Sequence, residues 1–132
     1  MLTLLIVLLL SVLLPYLARV PVIKALVRMG GYDNHLPRVQ QAKLEGIGAR
    51  ANAAHYNSFE ALQVYLAAFA ASIAANLLDP TQQVLALVFV TARVLFVVFY
   101  LMDKAWLRST VWTIAMLAAL SMMVRSALLI AG

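Results

Sequence analysis

The 132-residue chain has no cysteine, so disulfides, thiolate metal centres and cysteine nucleophiles are all excluded. Its two histidines do not by themselves make a metal site, and none is expected. Charge is also scarce. Only 11% of residues are charged, with ten basic against five acidic, while 65% are hydrophobic. The alternating ten-residue pattern of a membrane β-barrel is missing as well. The net charge of +5 has the sign that suits a nucleic-acid partner, but the basic residues cluster between apolar stretches. Anionic lipid and the positive-inside rule account for that placement, so no nucleic-acid partner is expected.

What remains is four apolar stretches: Leu2 to about Val27, Ile47 to Leu78, Thr81 to Met102 and Leu107 to Ile130. Each is long enough to cross a hydrocarbon core, which takes about 20 helical residues. A backbone in lipid must satisfy its own hydrogen bonds, so these stretches are expected to be helices. The sequence therefore predicts an all-α integral membrane four-helix bundle, one domain over residues 1–132, with helices at about 2–27, 47–78, 81–102 and 107–130. The first stretch lacks the basic start and small-residue cleavage site of a signal peptide. It is read as a retained helix, kinked or frayed near Pro15 and Pro21.

Orientation follows from the connections. The segment from Lys24 to Arg50 holds Lys24, Arg28, Arg38, Lys43 and Arg50, and the third connection holds Lys104 and Arg108. The second, near Asp79-Pro80, has no basic residue. The first and third connections are then cytoplasmic and both termini outside, with Arg125 the one dissenting charge. In this topology Glu60, ten residues beyond Arg50, and Arg93, ten before Asp103, reach the same depth, about 15 Å from one surface. An ionised group at the bilayer centre costs about 2.5–3.5 kcal/mol, so the two are expected to meet, directly or through a ligand.

Arg50, Asn57 and Glu60 fall on one helical face, while His55 points roughly 160° away from Asn57. On the next helix Arg93, Phe96, Tyr100 and Lys104 form a second stripe, with Arg108 and Ser109 following. One reading is a structural ion pair bridged by Asn57, with Lys104 and Arg108 as interfacial anchors. The sharper one is a cavity for a zwitterionic molecule, whose carboxylates meet arginines and whose ammonium meets Glu60. Tyr56, Phe59 and Tyr65 are assigned to packing or lipid, the run Ala67 to Ala75 to close helix contact, and Asn76 to a helix end.

These residues also carry a family likeness. The segment Arg50-Ala-Asn-Ala-Ala-His-Tyr-Asn-Ser-Phe-Glu60 resembles the helix-two signature of the MAPEG superfamily, membrane-associated proteins in eicosanoid and glutathione metabolism. Ala54, His55, Asn57 and Glu60 supply its matching positions. Ala92 to Tyr100 is similar to the family's helix-three run, Leu107 to Trp112 to its helix-four opening, and Gly31 to Arg38 to the loop of short bacterial members. The resemblance implies a homotrimer in a bacterial inner membrane, binding glutathione or a similar thiol between subunits near the cytoplasm. It also implies glutathione as co-substrate of a transferase or peroxidase acting on lipophilic small molecules, electrophiles or hydroperoxides. Carried over residue by residue, Asn57 and Glu60 hold polar groups of glutathione, and Arg93 and Tyr100 its carboxylate and backbone, with Arg50 on the same binding face. Arg108, with Ser109, stabilises the thiolate. Ala53 stands where many members carry a second arginine, and Phe96 where they carry a tyrosine. Those departures favour the alternative of a catalytically silent lipid- or thiol-binding membrane protein. A small proton-coupled exporter is a third reading, disfavoured because Arg93 at matching depth neutralises Glu60.

Overall fold

A computed structural model describes residues 1–132. It is all-helical: α1 (Leu2–Arg28), α2 (Pro37–Gln41), α3 (Gly46–Ala74), α4 (Pro80–Leu101) and α5 (Ala105–Ala131). Three of these, α1, α4 and α5, are long and apolar enough to cross a membrane, rather than the four expected. Helix α3 has the length, at 29 residues, but Arg50, Asn52, Asn57, Glu60 and Gln63 dilute its apolar character.

Helix ends follow from local chemistry. Helix α1 runs on through Pro15 and Pro21 and stops at Gly30, whose φ of 103° suits a residue without Cβ. Helix α3 ends four residues before the expected Leu78. Asn76 turns left-handed (φ 50°) and the Leu77 amide donates to the Ser72 carbonyl at 2.9 Å, so the helix is closed although leucines follow. Asp103 (φ 60°) does the same for α4, with the Lys104 amide donating to Phe99 at 2.9 Å. Asp79 caps α4 at its start by accepting from the Gln82 amide at 2.8 Å, with Pro80 next to it in the first turn.

The polar segment after α1 is more ordered than its composition suggests. Asp33 accepts from the amides of His35 and Leu36, and the Gln40 side chain donates to the Gly31 carbonyl at 2.6 Å. Pro37 then starts the five-residue helix α2, which the apolar pattern did not reveal.

Helix α1 packs chiefly on α3 and α4 on α5, while α3 also meets α4 and α5. Small residues make this close: Ala54, Ala68, Ala86, Ala115 and Ala119 are fully buried. Where α1 and α3 meet at Gly48, an added Cβ would lie 2.8 Å from the Ala25 Cβ. Tyr65 is a packing residue; it stacks on Phe89 with centroids 4.9 Å apart and donates to the Leu4 carbonyl at 3.1 Å. In the three apolar helices no more than 39% of the membrane-length stretch is buried within the chain. Their leucines, valines and isoleucines face outward, as in a protein whose solvent is lipid.

Candidate functional site

Asn57 is the hub of the polar residues that α3 and α4 bring together. Arg93 is 1% exposed; its Nη2 donates to Asn57 Oδ1 at 2.9 Å and to the Asn57 carbonyl at 3.2 Å. The Asn57 amide nitrogen donates in turn to Glu60 Oε2 at 2.8 Å. Glu60 and Arg93 thus meet through an intermediary and form no direct ion pair. The amide suits this place because it offers an acceptor to the cation and a donor to the carboxylate at once. The Arg93 Cζ lies 4.1 Å from the Phe96 ring centroid, so the ring face offsets part of the buried charge. Arg93 Nε and Nη1 are buried without a hydrogen-bond partner in the chain.

Beside this hub α4 and α5 open a cleft of about 450 Å³, lined by Asn57, Phe96, Tyr100, Arg108, Ser109, Trp112 and Thr113. The Arg108 Cζ sits 4.2 Å from the Tyr100 ring centroid, and Tyr100 meets Phe96 edge-on at 5.4 Å. A guanidinium stacked in this way keeps its N–H edge free for an anion. Of the site residues expected from sequence, Asn57, Tyr100, Arg108 and Ser109 share the cleft. Arg93 and Glu60 do not line it; each is hydrogen-bonded to Asn57, Arg93 buried and Glu60 exposed. Arg50 does not line the cleft; its Nη1 lies 3.5 Å from Asp103 Oδ2, a long and exposed contact. Trp112 and Thr113 were not singled out from sequence. Their i+4 spacing from Arg108 and Ser109 puts them on the same face, and the Thr113 hydroxyl donates to the Ser109 carbonyl at 3.1 Å.

Two further polar groupings lie outside the cleft. His55, buried at 5% exposure, lies 2.8 Å from the Pro15 carbonyl through Nδ1 and 3.2 Å from Arg19 Nη1 through Nε2. A carbonyl only accepts and a guanidinium only donates, an arrangement that suits the tautomer with its proton on Nδ1. At the opposite end of the bundle, Gln82 Nε2 donates to Ser72 Oγ (2.7 Å) and the Met122 carbonyl (3.1 Å). Arg125 donates to Gln82 Oε1 at 2.7 Å and to Asp79 Oδ2 at 2.6 Å. The basic residue that dissented from the charge pattern is therefore neutralised by the helix cap. Chiefly through that hydrogen bond from Arg125, the Asp79 carboxyl is held below its ordinary value of 3.8.

Three membrane-length apolar helices, with a polar cleft built from the helices themselves, define an integral membrane protein. The model of the MAPEG family matches residues 2–128, and the chain belongs to that family, which includes glutathione transferases and peroxidases as well as non-catalytic members. No curated protein and no solved structure matches the chain.

Proposed function

We propose that this protein is a glutathione-dependent transferase or peroxidase acting on lipophilic electrophiles or hydroperoxides. The observation that carries the reading is Arg108 stacked on Tyr100 at the wall of the Asn57 cleft. A thiol of ordinary pKa near 8.5 is mostly protonated at neutral pH, and an adjacent guanidinium favours the thiolate without itself titrating. Ser109 adds a hydroxyl donor beside it. Asn57 and Glu60 take polar groups of glutathione, with Glu60 suited to the ammonium, and Tyr100 contacts its backbone. Arg93 holds Asn57 in place, and Arg50 exchanges Asp103 for a glutathione carboxylate.

In transfer, the thiolate sulfur forms a bond to the electrophilic carbon while the bond to the leaving group breaks with its electron pair. With a hydroperoxide the thiolate attacks the distal oxygen and the O–O bond breaks to give the alcohol. A second glutathione then closes the disulfide and releases water.

The proposed assembly is a single four-helix transmembrane domain, with α3 as the fourth span, in a homotrimer in the bacterial inner membrane. Both termini lie outside, and the Arg50–Asp103 end faces the cytoplasm. Glu60, Gln63, Ala67, Ala70 and Ala74 are exposed on α3 at alternating intervals of three and four residues. Such a seam of small and polar side chains is costly in lipid and suits packing against another copy. The alternative, a silent thiol- or lipid-binding protein, is favoured by Ala53 and Phe96, since the Phe96 ring carries Arg93 and brings no phenol to the cleft.

The test is glutathione binding to detergent-purified protein, followed by ultraviolet thiolate absorbance across pH. Binding with a thiol pKa depressed below about 8.5 in the native protein, restored in Arg108→Ala, supports the enzyme. Binding with an ordinary pKa selects the silent receptor, and no binding at millimolar thiol overturns both thiol readings.

A further inference from the structure

The junction of α1 with α3 holds three ionic groups that the cleft does not use. Arg28 ends α1, and Lys43 and Glu45 stand just before α3. All three are exposed and line one pocket of about 380 Å³. The ion pairs of the chain are Arg50 with Asp103 and Arg125 with Asp79, so none of the three has an ionic partner. The floor of the pocket is the close approach of Ala25 to Gly48, where even one added methyl would clash. Ile47 completes the apolar part of the lining. On each helix that part lies inward of the charge. Ala25 is three residues, about 4.5 Å, inward of Arg28, and Ile47 is two residues, about 3 Å, inward of Glu45. Polarity in the pocket therefore falls in the direction of the hydrocarbon.

We propose that this pocket holds the headgroup of a membrane phospholipid that carries a primary ammonium, as phosphatidylethanolamine does. Its phosphodiester meets Arg28 and Lys43, its ammonium meets Glu45, and its acyl chains descend past Ala25 and Ile47. Two cations beside one carboxylate complement that headgroup in sign. A lipid whose headgroup is only negative would set its charge against Glu45, and like charges so placed repel. A quaternary ammonium keeps the positive charge but has no N–H to donate to the carboxylate. A water-soluble phosphate ester lacks the chains that the inward, apolar side of the pocket accommodates. General attraction of basic residues to anionic lipid, by contrast, has no use for Glu45.

The experiment is a native mass spectrometry titration of detergent-purified protein with the dioleoyl forms of phosphatidylethanolamine, phosphatidylcholine and phosphatidylglycerol, which share their chains. Phosphatidylethanolamine is expected to bind about fivefold more tightly than either of the others, the effect that an exposed ionic contact can supply. Glu45→Gln should erase its advantage over phosphatidylcholine. Arg28→Gln with Lys43→Gln should weaken both of these lipids about tenfold. The substituted side chains are exposed and unpaired, so both variants should keep the native melting temperature. Equal binding of phosphatidylethanolamine and phosphatidylcholine by the native protein, or native affinity in the double variant, overturns the proposal. Tighter binding of phosphatidylglycerol, lost in the double variant, overturns the choice of headgroup. Competition by glycerophosphoethanolamine at the same concentration as the lipid overturns the membrane as its source. Glutathione plays no part in this readout, so its outcome stands apart from that of the cleft.

Discussion

Replacing Asn57 by leucine, which is similar in size but neither donates nor accepts, removes the 2.9 Å bond from Arg93 and the 2.8 Å bond to Glu60. Arg93 would keep the Asn57 backbone carbonyl at 3.2 Å, while its Nε and Nη1 already have no partner in the chain. A hydrogen bond to a buried charged group contributes about 1.5–3 kcal/mol. The Glu60 bond is exposed and adds little, so the expected loss is about 2–3 kcal/mol, most of it at Arg93. At roughly 4 °C per kcal/mol for a chain of this size, the midpoint of thermal unfolding in detergent should fall by about 8–12 °C. The same assay supports a double-mutant cycle. Arg93→Met removes the charge that makes the leucine harmful, so Asn57→Leu with Arg93→Met should be less destabilised than the two single losses added together. The coupling should be at least about 1 kcal/mol, within the usual range for contacting residues. Additive losses within about 0.5 kcal/mol would refute Asn57 as the group that holds the buried guanidinium.

Three more expectations follow from other contacts. Gly48→Ala should destabilise the chain by about 1–3 kcal/mol, because the new Cβ meets Ala25 Cβ, and Ala25→Gly in the same chain should restore the melting point. Asp103→Asn keeps a residue tolerant of φ 60° and frees Arg50, so glutathione affinity measured by calorimetry should rise, by no more than about fivefold, since exposed pairs contribute at most about 1 kcal/mol. Asp79 has a depressed carboxyl pKa in the folded protein, so its contribution is present above the ordinary value of 3.8 and is lost as pH falls below it. Asp79→Asn should therefore flatten the acid limb of a stability-versus-pH curve, and an unchanged limb would remove Asp79 from it.

The helices were legible because hydropathy and length are local properties. Gly30, Asn76 and Asp103 are residues that tolerate the left-handed turn, and each closes a long helix. Helix α2 was not legible, since its five residues bury little and depend on side-chain bonds from Asp33 and Gln40. Counting residues along two helices put Glu60 and Arg93 at one level. The shared helical face also offered Asn57 as a bridge, and Asn57 is hydrogen-bonded to both, with no direct ion pair between them. The missing phenol at Phe96 reads as a loss from sequence, yet its ring is the surface on which Arg93 rests. Arg125 was anomalous only until the α3–α4 turn brought Asp79 to it.

The bundle is unevenly fastened. At the Asp79 end, Ser72, Gln82, Met122 and Arg125 tie α3, α4 and α5 together with hydrogen bonds of 3.1 Å or less. At the Asp103 end the tie recorded between α3 and the α4–α5 turn is the 3.5 Å contact of Arg50. Local opening of the bundle should therefore break fewer polar contacts at the Asp103 end than at the Asp79 end. The Asn57 cleft lies toward that end, so the proposed water-soluble thiol would enter where the fewest polar contacts stand in its way.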